Sequence, residues 1–436
     1  MLETIRNAWK VPELKKKLLM TALIILIFRL GNNIPVPFVN TELLGAYFTS
    51  ASSTILGMMN VMSGGAFGAA TVLALGIQPY INSSIIIQLL TIAIPALERL
   101  AKEGGEEGKK KIAAITRYAT VAIGLLQAFG YYWLCRSQGF LNDNGVFAAI
   151  VIILVFTAGS AFTMWLGEQI TEFGIGNGIS VILFAGIISR VPTAVYSLVT
   201  GIINWAKGTA GHAGHDVLRI HPLGAVGILV GILAMVVFVV FVSIAERRLP
   251  VQYAKRVVGR KMMGGNSTNI PMKVNMCGVL PIIFAQTIAS IPSTICAFVP
   301  SWNDSAFMKA FDTTSVLYCV IYFLLIIGFS YFYATIQFNP VEVANNLKKQ
   351  GGFIPGFRPG RPTAEFIAKV LNKITMFGAL YLAVVAILPI ATGAIIGASY
   401  LAIGGTSVLI VVSVALETEK AIEAQLMMRH YKGFLD

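Results

Sequence analysis

Six stretches of this 436-residue chain contain no Asp, Glu, Lys or Arg: Leu43 to Leu97, Asn144 to Gly167, Ile220 to Ala245, Val274 to Asn303, Thr313 to Val341 and Ile374 to Leu416. A helix crosses the hydrocarbon core of a bilayer with about 20 apolar residues, so each run is long enough to span at least once. Only 12% of the residues are charged and 56% are hydrophobic, against about 25% charged in a soluble domain. So few charges cannot cover a water-facing surface, and the fold class is an all-α polytopic membrane protein. A transmembrane β-barrel would alternate polar and apolar residues over segments of about 10; these runs do not alternate.

The pattern predicts ten spans, at Leu18 to Pro37, Ala70 to Ile94, Ile112 to Leu134, Val146 to Leu166, Gly174 to Val195, Pro222 to Ile244, Val274 to Val299, Ser315 to Gln337, Phe366 to Pro389 and Ala398 to Leu416. The last two share one charge-free run, so a turn is required, and Pro389, Gly393 and Gly397 supply it. Lys and Arg in short loops mark the cytoplasmic side. With the N-terminus inside, 27 basic residues are assigned to the cytoplasmic side and 5 to the outside, and the remaining one, Arg29, lies near the outer end of the first span. Both termini are therefore expected in the cytoplasm, with residues 1–17 as an N-terminal segment and 417–436 as a tail. Met1 to Lys17 is polar and basic with no hydrophobic stretch leading to a cleavage site, so no cleaved signal is expected.

The external loop 196–221 divides an N-terminal half, 18–195, from a C-terminal half, 222–416. Each half has five crossings, so two halves related by duplication would be inverted, as in many transporters. Leu43 to Leu97 is too long for one span and too short for two with loops. Its stretch Thr54 to Ser63 reads as a short helix that ends at Gly64 and Gly65 without crossing, buried inside the bundle because backbone at membrane depth needs protein around it. The alternative is an outer loop on the interface. Ile81 and Ile85, and likewise Ile179 and Leu183, stand at i, i+4 and share a helix face, which ordinary helix packing also explains.

Ionisable residues at the membrane midplane mark ion and proton paths. None lies at a span centre here, which argues against a proton-coupled transporter and less strongly against a sodium-coupled one. No Walker loop, HExxH or credible triad occurs, and no metal site or cofactor is expected. His212, His215 and His221 read as solvated loop residues, and Cys135, Cys277, Cys296 and Cys319 as small core residues. The loops 246–273 and 338–366 are long, basic and stiffened by Pro and Gly. They suit an anionic partner surface or anionic lipid headgroups.

MSGGAFGAATVLALGIQPYINSSIIIQLL (Met62 to Leu90), QITEFGIGNGIS (Gln169 to Ser180), YAKRVVGRK (Tyr253 to Lys261), KVNMCGVLPIIFA (Lys273 to Ala285), FNPVEVANNLKKQGGFIPGFRPG (Phe338 to Gly360) and GGTSVLIVV (Gly404 to Val412) run end to end along the chain. In these stretches it closely resembles the SecY family, the channel subunit of the bacterial protein-translocation machinery. The resemblance implies two inverted five-helix halves around an hourglass pore that opens sideways to lipid between spans two and seven. It places Ile81, Ile85, Ile179, Leu183, Ile283 and Ile410 in an aliphatic constriction. Thr287, a turn beyond Ile283, is too polar for that ring and falls with Gln88, Thr91 and Gln286 at the lateral gate.

The same resemblance makes residues 54–70 a plug, including Thr54, Ile55, Leu56, Met58, Met59, Val61, Met62, Ser63, Gly64 and Gly65. It assigns Lys255, Arg256, Arg260 and Arg358 to docking of the SecA motor ATPase or the ribosome. Implied partners are small subunits resembling SecE and SecG, together with signal peptides and nascent chains. The energy would come from the motor or the ribosome, so the channel itself is expected to have no catalytic centre.

Overall fold

The computed structural model describes every residue except 1, 51–56, 58–59, 61–62, 103, 208–220, 254–255, 259–260, 264–266, 277, 299–314, 397–403 and 433–436. Helix covers part of each of the ten expected spans, but in the ninth it continues through Pro389 and Gly393 to Ile396, so those two residues do not make the turn expected there; proline is tolerated in a membrane helix where neighbours satisfy the freed backbone groups. The chain opens with α1 (Leu2–Lys10) and α2 (Pro12–Gly31), the second beginning on a proline, whose missing N–H costs nothing at a first helical position. An additional helix, α3 (Thr41–Ser50), was not anticipated. The Asn40 Oδ1 starts it by accepting from the N–H groups of Glu42 and Leu43 at 3.1 and 3.2 Å.

The second expected span differs in where it begins. Residues 63–77 form turns, and helix starts only at α4 (Gln78–Ala93). These turns are tied to the end of α2: Val36 N–H donates to Ala70 O, and Val72 N–H donates to Ile34 O, both at 2.9 Å. At these two positions the backbone is thus paired without helix. α4 is followed by α5 (Pro95–Lys102) across a 106° bend. Pro95 disfavours helical geometry at the residue before it, and Ile94 is extended at φ −107°, ψ 111°.

Next come α6 (Gly105–Ser137), α7 (Val146–Phe173), α8 (Gly178–Ile188) and α9 (Val191–Ala206). The fifth expected span is therefore split at Ser189 and Arg190. Asn177 caps α8, its Oδ1 accepting from Ile179 N–H at 3.1 Å. α10 (Pro222–Ile244) has the bounds the sequence predicts.

Two small antiparallel sheets, one of three strands and one of two, then interrupt the helices. β1 (Glu246–Tyr253), β2 (Arg256–Val258), β3 (Lys261–Met263) and β4 (Ser267–Lys273) occupy the first long loop, β2 and β3 forming the two-stranded sheet. After α11 (Leu280–Phe298) and α12 (Val316–Gln337), the second long loop contributes α13 (Pro340–Lys349) and β5 (Gly352–Phe353). β1 is the centre of the sheet β4-β1-β5, with Leu249 opposite Ile270 and Gln252 opposite both Ser267 and Phe353. Helices α14 (Arg361–Ile396) and α15 (Gly404–Lys432) complete the described chain.

Among the described residues, six helical stretches are long and apolar enough to cross a membrane, or seven if the bent α4–α5 pair counts as one. The largest core joins α2, α4, α7, α8, α10, α11, α12, α14 and α15. α10 buries little of itself: Phe241 is 75% exposed and Leu233 66%. Such a surface is stable against lipid and not against water.

Candidate pore, gate and plug

The six aliphatic residues expected at the constriction sit on four helices and all belong to, or pack against, the main core; of these helices α4 packs against α11 and α8 against α15. Ile81 and Ile85 come from α4, Leu183 and the half-buried Ile179 from α8, Ile283 from α11 and Ile410 from α15. Ile81, Ile85, Leu183 and Ile410 are at most 5% exposed and Ile283 is 9% exposed. A cluster with no hydrogen-bonding side chain among these six offers a passing ion nothing to replace its hydration shell. Packing them together also excludes water at roughly 25 cal/mol per Å² of apolar surface buried.

Helix α11 packs against α4 and α6, and the four expected gate residues fall on α4 and α11. Gln88 and Thr91 lie on α4; the Thr91 hydroxyl donates back to Ile87 O at 2.7 Å. On α11, Gln286 is buried and Thr287 is half-buried. A residue that sequence reasoning missed joins them: the Tyr333 hydroxyl of α12 donates to Gln88 Oε1. This bond ties α12 to α4 across 245 positions of sequence, a separation at which no local pattern could have flagged the pair.

Of the expected plug residues, Ser63, Gly64 and Gly65 are described, while Thr54, Ile55, Leu56, Met58, Met59, Val61 and Met62 lie outside the described residues. The short helix expected over Thr54 to Ser63 lies largely outside them too. At its end is a compact knot. Ser63 Oγ donates to Asn60 O at 3.1 Å and accepts from Phe67 N–H at 3.0 Å. Gly65 N–H donates to Asn60 O at 2.7 Å, and Gly68 N–H donates to Asn60 Oδ1 at 2.8 Å. Ser63, Phe28, Ile77 and Leu183 share a cavity of about 10 Å³, which sets the end of this segment beside Leu183. Tyr131 closes the far side, its hydroxyl donating to Phe67 O at 2.6 Å.

The two long loops form one unit. Besides the shared sheet, Leu249, Val251 and Met272 pack with Leu347, Ile354, Ile367 and Leu371 in a separate core. Arg358 is exposed at its rim, in a turn held by the Thr363 hydroxyl donating to Arg358 O at 2.7 Å. Phe357 and Phe366 stack beside it with ring centroids 4.1 Å apart. Arg256 has its backbone in β2, opposite Met263; Lys255 and Arg260 lie outside the described residues. Where this unit meets the helices, Glu417 Oε1 of α15 stands 3.0 Å from the place a Cβ on Gly278 would occupy. Burial pushes the Glu417 carboxyl above its ordinary pKa, and Lys273 and Lys420 only partly restore it. Burial first, then Lys420, pushes Lys273 down.

A sequence model of the SecY family matches residues 71–419. The chain is 46% identical over 451 residues, covering all of both sequences, to the protein translocase subunit SecY of Streptomyces coelicolor. The chain belongs to the SecY family. Its fold is that of solved channels of the family. One, at a TM-score of 0.65 and 16% identity over 96% of each chain, is described by its plug domain, said to stabilise the closed state of the translocation channel and maintain a membrane seal. Another, at a TM-score of 0.63 and 15% identity over 96% of each chain, is Sec61 in the canine ribosome-channel complex from the endoplasmic reticulum. Family membership makes this chain a translocase channel subunit.

Proposed function

We propose that this chain forms the pore through which unfolded secretory polypeptides cross the bacterial cytoplasmic membrane, and from which apolar segments leave sideways into lipid. Ten crossings arranged as two inverted halves would surround the pore, with both termini and the sheet-bearing unit in the cytoplasm. The observation that supports this reading is the burial of Ile81, Ile85, Leu183, Ile283 and Ile410, from four different helices, within the same apolar core. Aliphatic side chains make a deformable gasket: they close on themselves when idle and yield to a passing chain without binding its sequence.

Residues 54–70 would plug this pore from outside. Gln88, Thr91, Gln286 and Thr287 would line the lateral gate, where a signal peptide partitions between pore and lipid. The energy would come from a SecA-like motor or a translating ribosome seated on the unit that carries Arg256 and Arg358. Small subunits resembling SecE and SecG would brace the helices, and anionic lipids would meet the basic loops. Replacing Ile81, Ile85 and Ile283 together with Ser should give a purified complex that conducts ions in planar bilayers without substrate. An unchanged, tight channel would refute the gasket.

A further inference from the structure

Arg29 lies in the last turn of α2, and the pore as described gives it no task. Ionisable groups at membrane depth are costly and mark function. Its surroundings supply one. Gly64, at the root of the plug segment, has φ +71°. A Cβ there would stand 2.8 Å from Gly186 O, 2.8 Å from Ser189 Oγ and 3.0 Å from the Arg29 guanidinium. The backbone of the root is therefore pressed against the last turn of α8, where the Ser189 hydroxyl donates to Gly186 O at 2.6 Å. From the other side, Asn32 Nδ2, just past the end of α2, donates to Ser63 O at 3.4 Å.

We propose that Gly64, enclosed by Gly186 O, Ser189 Oγ and the Arg29 guanidinium, is a latch that holds the plug root to α8, so that plug and constriction release together. This rests on the plug and gasket reading above. α8 also carries Ile179 and Leu183, so any outward movement of α8 that widens the ring withdraws the seat of Gly64 in the same step. Arg29 and Ser189 are positioning residues here: they touch the plug root and no passing chain need touch them.

The neighbouring glycine provides the control. Gly65 also has a positive φ, +93°, but a Cβ on it would meet nothing within 4 Å. Gly65→Ala therefore carries backbone strain alone, at a φ further from the left-handed minimum, and Gly64→Ala carries backbone strain together with the clash. Purified complexes of the parent, Gly64→Ala, Gly65→Ala, Arg29→Leu, Arg29→Lys and a deletion of residues 54–65 are compared for ion conductance in planar bilayers and for export of a preprotein with a weakened signal sequence. Gly64→Ala and Arg29→Leu should raise substrate-free conductance roughly tenfold, a shift equivalent to about 1.4 kcal/mol. Both should export the weak-signal preprotein better than the parent, a gain that mere misfolding would not give. Gly65→Ala should leak distinctly less than Gly64→Ala, and Arg29→Lys should stay close to the parent. Equal leak from the two alanine variants, or a tight Arg29→Leu channel, would overturn the latch. If the deletion leaks while Gly64→Ala is tight, the latch falls and the plug survives; if the deletion is tight, the plug reading falls and takes the latch with it.

Discussion

At Glu417 burial outweighs two lysines. A carboxyl whose pKa is raised by folding binds its proton more tightly in the folded protein. Its stabilising contribution is then full below the ordinary value of 4.5 and is lost as pH rises through the raised one. Glu417→Gln, neutral at every pH, should melt higher than the parent at pH 8, by less than about 1 kcal/mol because the site is only partly dry. The two melting curves should converge as pH falls toward 4.5; equal melting temperatures at pH 8 would show that the lysines neutralise the site after all. Tyr333 links α12 to α4 through the bond its hydroxyl makes to Gln88. Tyr333→Phe keeps the ring packed against Phe284, 5.0 Å away between centroids, and removes only the hydroxyl that reaches Gln88. A net hydrogen bond is worth about 0.5–1.5 kcal/mol, so the gate should open up to several-fold more readily, read as faster export of a weak-signal preprotein. Neither residue could be singled out from sequence, because each draws its meaning from a partner distant along the chain.

Helices and strands show where sequence patterning stops informing. The bounds of α10 are legible because a long apolar run ends at charge on one side and follows His221 and Pro222 on the other. The run Leu43 to Leu97 was readable as anomalous, yet its contents were not. Lack of charge records burial in protein or lipid and says nothing about backbone form, so α3, the turns over 63–77 and the bend at Ile94 look alike in it. The sheet was hidden for the opposite reason: β1 reads ERRLPVQY, too charged and too short to stand out in a loop. A close approach between elements gives the corresponding prediction. A Cβ on Gly159 of α7 would lie 1.8 Å from Val72 O, so the turn segment and α7 touch backbone to backbone. Gly159→Ala must displace one of them, at a cost of about 1–3 kcal/mol for an overpacked site. It should lower the melting temperature in detergent, whereas Gly227→Ala on α10, where a Cβ meets nothing within 4 Å and alanine is the better helix former, should not lower it.

For the whole molecule, the distribution of charge matters more than its total of +13. The sequence showed two basic loops; folding makes them one body, since β1 pairs with β4 from its own loop and with β5 from the other. A partner that grips either loop therefore moves both. β4 ends at Lys273 and α11, which carries Gln286 and Thr287, begins at Leu280, so this body is joined to that helix by a short stretch of chain. Arg358 is the described basic residue best placed to report on such a grip. It is exposed, and its turn is fixed by Thr363 and by the Phe357–Phe366 stack, so a change of side chain leaves the turn intact. Exposed charges contribute little to stability, about 0–1 kcal/mol, but reversing one in a docking surface replaces attraction by repulsion. Arg358→Glu should accordingly leave the melting temperature of the complex within about a degree of the parent while cutting motor-driven export of a preprotein about tenfold or more, a loss of at least about 1.4 kcal/mol of coupling. Raising salt should narrow that difference, because an exposed charge is screened within about 10 Å at 0.1 M. Export at the parent's rate, in low salt and with limiting motor, would remove Arg358 from the docking surface and leave the sheet as a structural brace for α11 and α14.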